Sequence, residues 1–323
     1  MLTVYGAAQG NLVKRNDTNV DAEVVWVDLL NPTKEEDLQV ERALGLSVPT
    51  REEMAEIEAS SRLYNEGGAH YMTGVVLHQR DGQAPVATPV TFIIAGNRLV
   101  TVRYEEPRAF TIFLSRAHKN DAACGSGVAV MVGLLEAIID READRVERIQ
   151  VDVDRLSQNI FETKIDRART RTRRFDVTIK LIGREGELTS RSRESLLSLH
   201  RLLTYLAHVM SQRGDDKALR ARVKTADRDV QSLADHIGYL SAKITFLLDA
   251  TLGMINNEQN TIIKIFSVLA VALMPPTLVG TIYGMNFKHI PELDWLWGYP
   301  FALALMVLSA VLPWWFFKRQ GWL

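Results

Sequence analysis

The apolar residues of the chain are concentrated near its C-terminal end, in two long runs. The first starts at Thr261 and reads TIIKIFSVLAVALMPPTLVGTIYGMNF, with Lys264 as its one charge. The second starts at Gly298, reads GYPFALALMVLSAVLPWWFF and carries no charge. A helix of about 20 residues crosses the roughly 30 Å hydrocarbon core of a bilayer, and each run is at least that long. The pattern therefore predicts two transmembrane helices.

The N-terminal part, from Met1 to about Arg103, alternates short β-branched runs with helical signals. The segments EVVWVDLL, YMTGVVLHQ, PVTFIIA and NRLVTVRY are typical of strands, and Gly96-Asn97 between the last two predicts a hairpin. In NPTKEE, Thr33 and Glu36 have the spacing of a capping box, so a helix is expected to begin there. We therefore predict an α/β domain over residues 1–128.

Strand signals almost vanish after residue 129, where amphipathic helices rich in Glu, Asp and Arg take over. Breaks are expected near Gly183–Gly186 and near Gly214–Asp216. After the second break no proline occurs before Pro275. One helix of about 60 residues or more, some 90 to 100 Å long, is therefore predicted to continue into the first apolar run. Residues 129–259 are assigned to these long helices and to this stalk.

The flanks of the two runs predict the orientation in the membrane. Lys243 precedes the first run and Lys264 lies near its start, and Lys318 and Arg319 follow the second. Basic residues favour the cytoplasmic side, and the start of the chain, MLTVYGAAQGN, lacks the pattern of a secretory signal. Both termini are expected in the cytoplasm, at a bacterial inner membrane. The remaining segments are a first span at 260–287, an outer loop at 288–297, a second span at 298–317 and a cytoplasmic basic tail at 318–323.

A seven-residue repeat along the stalk helix indicates which side chains share a seam. One column holds Phe246, Gly253, Asn260, Ser267, Met274 and Thr281, and the other holds Asp235, Ala242, Asp249, Asn256, Ile263, Ala270, Thr277 and Gly284. A polar stripe that faces lipid costs free energy, so this stripe is expected to face water or the interior of a bundle. Packing of small residues between helices would account for Ser267 and Thr281 alone. It would not account for the continuation of the stripe into Asp249 and Asn256.

Two spans cannot enclose a pore, so an aqueous axis requires several copies of the chain, and a symmetric homo-oligomer is predicted. Each axial oxygen is then repeated around a ring. Oxygen ligands suit Mg²⁺, which gives up its waters reluctantly, so a ring of Asn286 carbonyls can hold the hydrated ion. Gly284, Met285 and Asn286 are therefore expected to form the mouth of the pore.

Other residues along the predicted axis have different roles. Met274 and Ile263 are expected to be apolar constrictions that gate by dewetting. Glu292 and Asp294, in the outer loop, are expected to raise the local concentration of cations. Asp249 and Asn256 are expected to line the cytoplasmic end of the axis.

The motif YGMNF, the following IPELDWLWGYP, the upstream NNEQNTIIKIFSVLAVALMPPTLVG and the C-terminal FKRQGWL together resemble the CorA family of magnesium transporters. The resemblance implies a funnel-shaped homopentamer with a cytoplasmic α/β domain, a long stalk that continues into the pore, and a second span outside it. By the same resemblance, the selectivity mouth is Gly284 and Asn286, and the pore lining is Thr277, Met274, Asn260 and Ile263. Family members often have methionine where Ile263 stands, and isoleucine keeps that constriction apolar.

The resemblance also implies regulation by intracellular Mg²⁺ bound at acidic residues between neighbouring cytoplasmic domains. Asp227, Asp229 and Asp235 on the stalk are the candidate ligands. The Pro-Glu-Leu loop departs from the zinc-transporting branch of the family, which favours magnesium as the transported ion.

The composition excludes several other classes of function. The formal net charge of -1 favours no nucleic-acid partner, and no nucleophile with an adjacent base or phosphate-binding loop indicates an enzyme. The prediction is a passive channel for Mg²⁺ influx. Two alternatives stay open: a Co²⁺, Ni²⁺ or Zn²⁺ transporter of the same fold, including an exporter, and a membrane-anchored cation sensor that does not conduct.

Overall fold

The computed structural model describes residues 1–8, 11–56, 58–79, 85–117, 125–161, 168–286 and 295–321. The chain divides into two compact units. The first comprises Met1–Asp166 and Asp176–Leu247, and the second comprises Arg167–Phe175 and Leu248–Leu323. The division after Leu247 falls inside the predicted stalk helix.

The first unit contains a mixed sheet, which has seven strands among the described residues. They are β1 (Leu2–Ala8), β2 (Asn11–Lys14), β3 (Val24–Leu30), β4 (Leu63–Glu66), β5 (Ala69–His78), β6 (Val86–Ala95) and β7 (Arg98–Arg103). Their order across the sheet is β2-β1-β3-β7-β6-β5-β4, and only the β3–β7 pair of these is parallel. Strands β3, β5, β6 and β7 contain the four predicted runs. The sequence pattern does not single out β1, β2 or β4.

The predicted hairpin at Gly96-Asn97 is confirmed. Strands β6 and β7 pair antiparallel, with Ala95 opposite Arg98. Gly96 has a φ of 58°, in the left-handed region that glycine enters without steric cost.

Four short helices lie among and after the strands: α1 (Lys34–Leu44), α2 (Arg51–Ala55), α3 (Ala59–Arg62) and α4 (Arg108–Ala117). The predicted capping box begins α1. The Glu36 amide donates to Thr33 Oγ1 at 3.4 Å, and the Thr33 amide donates to Glu36 Oε2 at 2.9 Å. Local sequence therefore determines where this helix starts, as predicted.

A buried hydrogen-bond network joins the parallel strands β3 and β7. Trp26 Nε1 donates to Thr101 Oγ1 at 2.9 Å, and Thr101 Oγ1 donates to Asp28 Oδ1 at 2.7 Å. Arg103 Nη2 donates to Asp28 Oδ2 at 2.7 Å. All four side chains are buried, and a buried charge is tolerated when it is paired and hydrogen-bonded. The network therefore favours this one register of the two strands.

Four long helices follow the sheet: α5 (Gly127–Phe161), α6 (Ala168–Arg213), α7 (Lys217–Tyr283) and α8 (Gly298–Arg319). The predicted break after Arg213 is confirmed, with Gly214 at a φ of 71°. The break predicted near Gly183–Gly186 is wrong, because α6 runs through both glycines. A helical glycine costs only about 0.5–1 kcal/mol, which the buried side chains of Ile182 and Thr189 on the same helix offset. Helix α7 has 67 residues, as long as predicted.

Helix α6 covers the edge of β5 beyond Met72, where β4 no longer pairs with it. Ser195 Oγ donates to the Val75 carbonyl at 2.8 Å, and the Val75 amide donates to Ser198 Oγ at 2.9 Å. A Cβ on Gly74 would lie 3.0 Å from Leu202 Cδ1, so glycine permits this close approach. Polar groups of an open strand edge are thereby satisfied by a helix.

In the second unit, the end of α7 and the whole of α8 are strongly apolar. These are the two described helices that are long and apolar enough to cross a membrane, in agreement with the predicted spans. The spans approach closely at Gly280, where an added Cβ would lie 3.3 Å from Met306 Cε. Small residues let spanning helices pack in this way.

Candidate functional site

Helix α7 buries one face within the first unit and leaves the opposite face exposed. The buried side chains recur every three or four residues and are Val223, Ala226, Val230, Ile237, Leu240, Ile244 and Leu247. The two predicted columns lie about 150° around the helix from this face. Every member of both columns, from Asp235 to Gly284, is exposed in the single chain. Phe246 stacks on Phe161 of α5, with ring centroids 6.1 Å apart, but no column member is buried in the chain.

Polar contacts with α5 fix which face α7 presents. Arg222 donates to both carboxylate oxygens of Glu136, at 2.9 and 2.6 Å. Lys243 Nζ donates to Asp154 Oδ1 at 2.5 Å, and this hydrogen bond raises the pKa of the Lys243 ammonium. Because these contacts lie 21 residues apart in sequence on α7, they limit rotation of this part of the helix about its axis.

The threonines of the apolar half of α7 present hydroxyl oxygens as acceptors. Thr277 Oγ1 donates to the Leu273 carbonyl and Thr281 Oγ1 donates to the Thr277 carbonyl, both at 2.8 Å. Each hydroxyl thus uses its one proton within the helix and keeps its lone pairs. Water bound to a cation directs its hydrogens outward, so such oxygens suit a hydrated cation.

The remaining column residues in this half are apolar or small. Met274 and Ile263 are 69% and 61% exposed, so both side chains project from the chain and can narrow an axis between copies. Ser267 and Ala270 are exposed on the same columns. The exposed face therefore carries both polar and apolar positions, with the two threonines nearest the helix end.

The predicted mouth lies where α7 ends. The helix stops at Tyr283, the Gly284 amide donates to the Gly280 carbonyl at 3.0 Å, and the Met285 amide donates to the Ile282 carbonyl at 3.3 Å. A Cβ on Gly284 would lie 3.1 Å from the Gly280 carbonyl oxygen, so glycine allows this tight exit from the helix.

Met285 and Asn286 are exposed immediately after this turn, and that they form a mouth with Gly284 stays a prediction. Glu292 and Asp294 lie outside the described residues.

The polar residues at the lower end of the predicted axis are Asp249, Asn256 and Asn260. All three are exposed on the columns. In a ring of copies they would give successive layers of carboxylate and amide oxygens.

The three candidate regulatory aspartates are in different environments. Asp227 is hydrogen-bonded to His200 of α6, Asp229 lines a cavity of about 270 Å³ with Glu136 and Asp140, and Asp235 is exposed on a column. Among the described residues, no group of three or more His, Cys, Asp or Glu side chains could hold a metal ion. The single chain therefore does not bring the three aspartates together as a site.

Two features of the apolar half of α7 were missed by sequence reasoning. Gly280 is the contact point with α8, and a small residue within an apolar span was the available signal. Pro275 and Pro276 lie inside α7 and have no N–H, so the carbonyls of Val271 and Ala272 lose their helical donors. Both features lie between Met274, a predicted constriction, and the predicted mouth.

Aromatic and basic side chains meet at the end of α8. Lys318 Nζ lies 4.9 Å from the ring centroid of Trp314, and Arg319 Cζ lies 5.5 Å from that of Trp315. Such pairs are typical of the interface between hydrocarbon and water.

A soluble α/β unit, a long helix with an apolar end and a second apolar helix define a membrane protein with two spans. The family described as CorA-like Mg²⁺ transporter protein matches residues 21–319, and the chain belongs to that family. The resemblance seen in the sequence motifs is confirmed.

Two relatives and one solved structure illustrate the extent of the similarity. The chain is 36% identical to a magnesium transport protein CorA of Yersinia pseudotuberculosis, over 94% of this chain and 93% of that protein. It is 35% identical to a magnesium transport protein CorA of Salmonella typhimurium, over 96% and 95%. The complete structure of the CorA magnesium transporter from Methanocaldococcus jannaschii superposes with a TM-score of 0.74 at 18% identity, covering 100% of this chain and 99% of that one. The α/β domain, the long helical stalk and the apolar C-terminal helix of the predicted fold class are thereby confirmed.

Proposed function

We propose that the protein is a channel through which Mg²⁺ enters the cell passively. The observation that carries this proposal is the pair of columns on α7, whose members are exposed from Asp235 to the helix end and which lie opposite the packed face in the first unit. Membership of a family of Mg²⁺ transporters supports Mg²⁺ as the ion. We propose no catalytic site, since transport down a gradient needs none.

The path requires several copies of the chain, because two spans cannot enclose it. In a closed ring the columns of all copies face one axis. We propose a homo-oligomer, and five copies on the resemblance to the CorA family. The membrane would be the bacterial inner membrane, with both termini in the cytoplasm.

The order of the residues along α7 gives the order in which an entering ion would meet them. Outside cations would be concentrated by Glu292 and Asp294 and held, with their waters, by the Asn286 carbonyls. The hydrated ion would then pass Thr281 and Thr277. The apolar side chains of Met274 and Ile263 would close the path when water leaves the space between them. The layers below the constrictions would be Asn260, Asn256 and Asp249.

The driving force is the membrane potential together with the concentration gradient. An inside-negative potential contributes about 2.3 kcal/mol per charge per 100 mV, hence about 4.6 kcal/mol for a divalent ion. Co²⁺ and Ni²⁺ carry the same charge and similar hydration shells, so both are expected to compete with Mg²⁺. Intracellular Mg²⁺ would regulate the channel at acidic residues of the stalk.

The test is Mg²⁺ influx into proteoliposomes that contain the purified protein and a Mg²⁺-sensitive dye, under an imposed inside-negative potential. Asn286→Ala should abolish influx, because the ring of carbonyls is lost. Asn257→Ala is the matched control, since Asn257 is exposed on α7 but lies off both columns, and it should conduct like the wild type. Absence of influx from folded, oligomeric wild-type protein would contradict the channel and favour a sensor.

A further inference from the structure

A polar cavity of about 210 Å³ lies within the first unit, between the end of β5, the start of α4 and the middle of α5. Its charged lining consists of Arg108, Arg141, Glu142, Arg145 and Arg148. Four guanidinium groups thus surround the cavity against one carboxylate. The predicted ion path, which lies on the exposed face of α7, uses none of these residues.

Arg145 forms a fixed, buried part of the cavity wall. It is 8% exposed, and its Nη1 donates to Glu142 Oε1 at 2.5 Å. Its Nη2 donates to the Leu77 carbonyl at 3.4 Å. Glu142 is 1% exposed, so this pair is held in place by the surrounding core. The pairing of Glu142 with Arg145 also reduces the repulsion that the carboxylate would exert on an anion.

Ion pairs with acidic side chains among the described residues of α5 engage Arg141 and Arg145 but not Arg148. Arg141 Nη1 donates to Asp144 Oδ2 at 3.0 Å, so Arg141 and Arg145 both have acidic partners. Arg148 Nε donates to the Asp144 carbonyl at 3.0 Å, which orients its guanidinium group. No hydrogen bond between described residues uses its two Nη atoms, which are left for a ligand.

The first turn of α4 adds a second source of positive potential. Pro107, Arg108 and Ala109 line the cavity at the start of this ten-residue helix. Pro107 has no N–H and the Phe110 amide donates to the Pro107 carbonyl at 3.0 Å, so this turn offers fewer amides than a full first turn. The helix dipole still places partial positive charge there. Anions bind readily at such a position.

We propose that this cavity binds a phosphoryl group with two negative charges. The planar fork of a guanidinium group matches two phosphoryl oxygens, and several such groups together favour a dianion over a singly charged carboxylate. Pockets for drug-sized ligands measure about 300–1,000 Å³, so a cavity of 210 Å³ accepts a phosphoryl group with any larger remainder outside. The ligand is free phosphate or the phosphate end of a nucleotide.

The test is calorimetric titration of the full-length protein in detergent, with inorganic phosphate and then with ATP. Mg²⁺ is omitted and the buffer holds about 0.15 M salt, where the Debye length is about 8 Å and diffuse attraction is screened. We expect one saturable site per chain. Arg148→Gln should weaken binding at least about tenfold, because charge-assisted hydrogen bonds to the ligand are lost. Arg108→Gln should also weaken it.

Arg155→Gln is the matched control, since Arg155 is exposed on α5, bonds to Asp152 and does not line the cavity. Displacement of phosphate by ATP would identify a nucleotide as the ligand, and phosphate binding that ATP does not displace would identify free phosphate; either supports the site. No saturable heat with either ligand, or equal weakening by Arg155→Gln, would overturn it. The proposal does not rest on Mg²⁺ conduction, and its readout is independent of flux.

Discussion

His200 Nδ1 lies 2.7 Å from Asp227 Oδ1 and thereby joins α6 to α7. Gln231 Nε2 donates to the other carboxylate oxygen, Asp227 Oδ2, at 3.1 Å. Both oxygens of Asp227 are therefore engaged within its own chain. Asp235, by contrast, is exposed on the face of α7 that the chain does not pack. Of these two aspartates, Asp235 is the better placed to share a cation with a neighbouring copy.

This difference predicts different effects of the two aspartates on regulation by Mg²⁺. Asp235→Asn should raise several-fold the Mg²⁺ concentration, on the side of the soluble unit, that halves influx, because a carboxylate ligand is lost. Asp227→Asn should leave that concentration nearly unchanged. The measurement is Mg²⁺ influx into proteoliposomes at a series of Mg²⁺ concentrations on the side of the soluble unit. The opposite ranking of the two variants would remove Asp235 as a ligand.

If the hydrated ion uses the threonine hydroxyl oxygens of α7, removing them without changing the side-chain size should lower the flux. Valine matches threonine in shape but has no acceptor, so Thr277→Val with Thr281→Val should lower Mg²⁺ influx at least several-fold. Ser309→Ala is the control, because the Ser309 hydroxyl of α8 donates to its own helix at the Met306 carbonyl, 2.9 Å away. Influx of the double variant equal to that of the control would show that the hydrated ion does not use these oxygens.

Glu185 predicts a pH dependence of stability. Burial, with a smaller effect of Asp152, raises the pKa of this carboxyl, and its Oε2 has no hydrogen-bond partner among the described residues. The neutral form is therefore favoured in the folded state. The neutral Glu185 carboxyl therefore favours folding below the unfolded-state pKa of about 4.3. This contribution to the free energy of unfolding is lost as the pH rises through the raised pKa of the folded state.

Glu185→Gln should accordingly raise the thermal unfolding midpoint at pH 7 and leave it nearly unchanged at pH 4. Intrinsic tryptophan fluorescence of the detergent-solubilised protein measures both midpoints. Glu194→Gln, at an exposed position of the same helix, should change neither. A lower midpoint for Glu185→Gln at pH 7 would mean that the ionised carboxylate stabilises the fold.

Two glycines in helices predict opposite effects of alanine. A Cβ on Gly127 would lie 2.4 Å from the Arg98 carbonyl carbon and from the Leu99 nitrogen, and backbone atoms cannot move aside easily. Gly127→Ala should destabilise the protein by about 1–3 kcal/mol, the usual range for overpacking. Gly183 has nothing within 4 Å of an added Cβ, so Gly183→Ala should stabilise α6 by about 0.5–1 kcal/mol. Thermal unfolding of both variants tests the pair, and a wild-type midpoint for Gly127→Ala would contradict the first.

Local patterns predict those parts of the fold whose cause is local. The Thr33 capping box, the Gly96 turn and the long proline-free stretch of α7 depend on residues close in sequence. The parallel pairing of β3 with β7 depends instead on Asp28 and Arg103, which are far apart in the chain. The alternation of polar and apolar residues within a strand does not predict a contact between two strands so far apart in the chain. The error at Gly183 has a related cause, since packing of α6 outweighs the weak local preference of glycine.

The sequence predicts the residues of the candidate path only as far as they share one face of α7. The heptad spacing selected side chains that are exposed, and in the first unit they lie opposite the packed face of α7; that they line a path stays a prediction. The pairing of Asp227 with His200 and the contact of Gly280 with Met306 required the positions of other helices. Sequence spacing identifies a shared face but not the neighbour across from it.

The covering of β5 by α6 has a consequence for synthesis of the chain. The last strand of the sheet ends at Arg103, whereas Ser195 and Ser198, which take up the Val75 backbone, are translated much later. At about 5–20 residues per second, the ribosome needs roughly 5 to 20 s to reach them. During that interval the nascent chain carries an uncovered strand edge open to pairing with other polypeptides. Both apolar spans are translated only after the α6 residues that cover this edge.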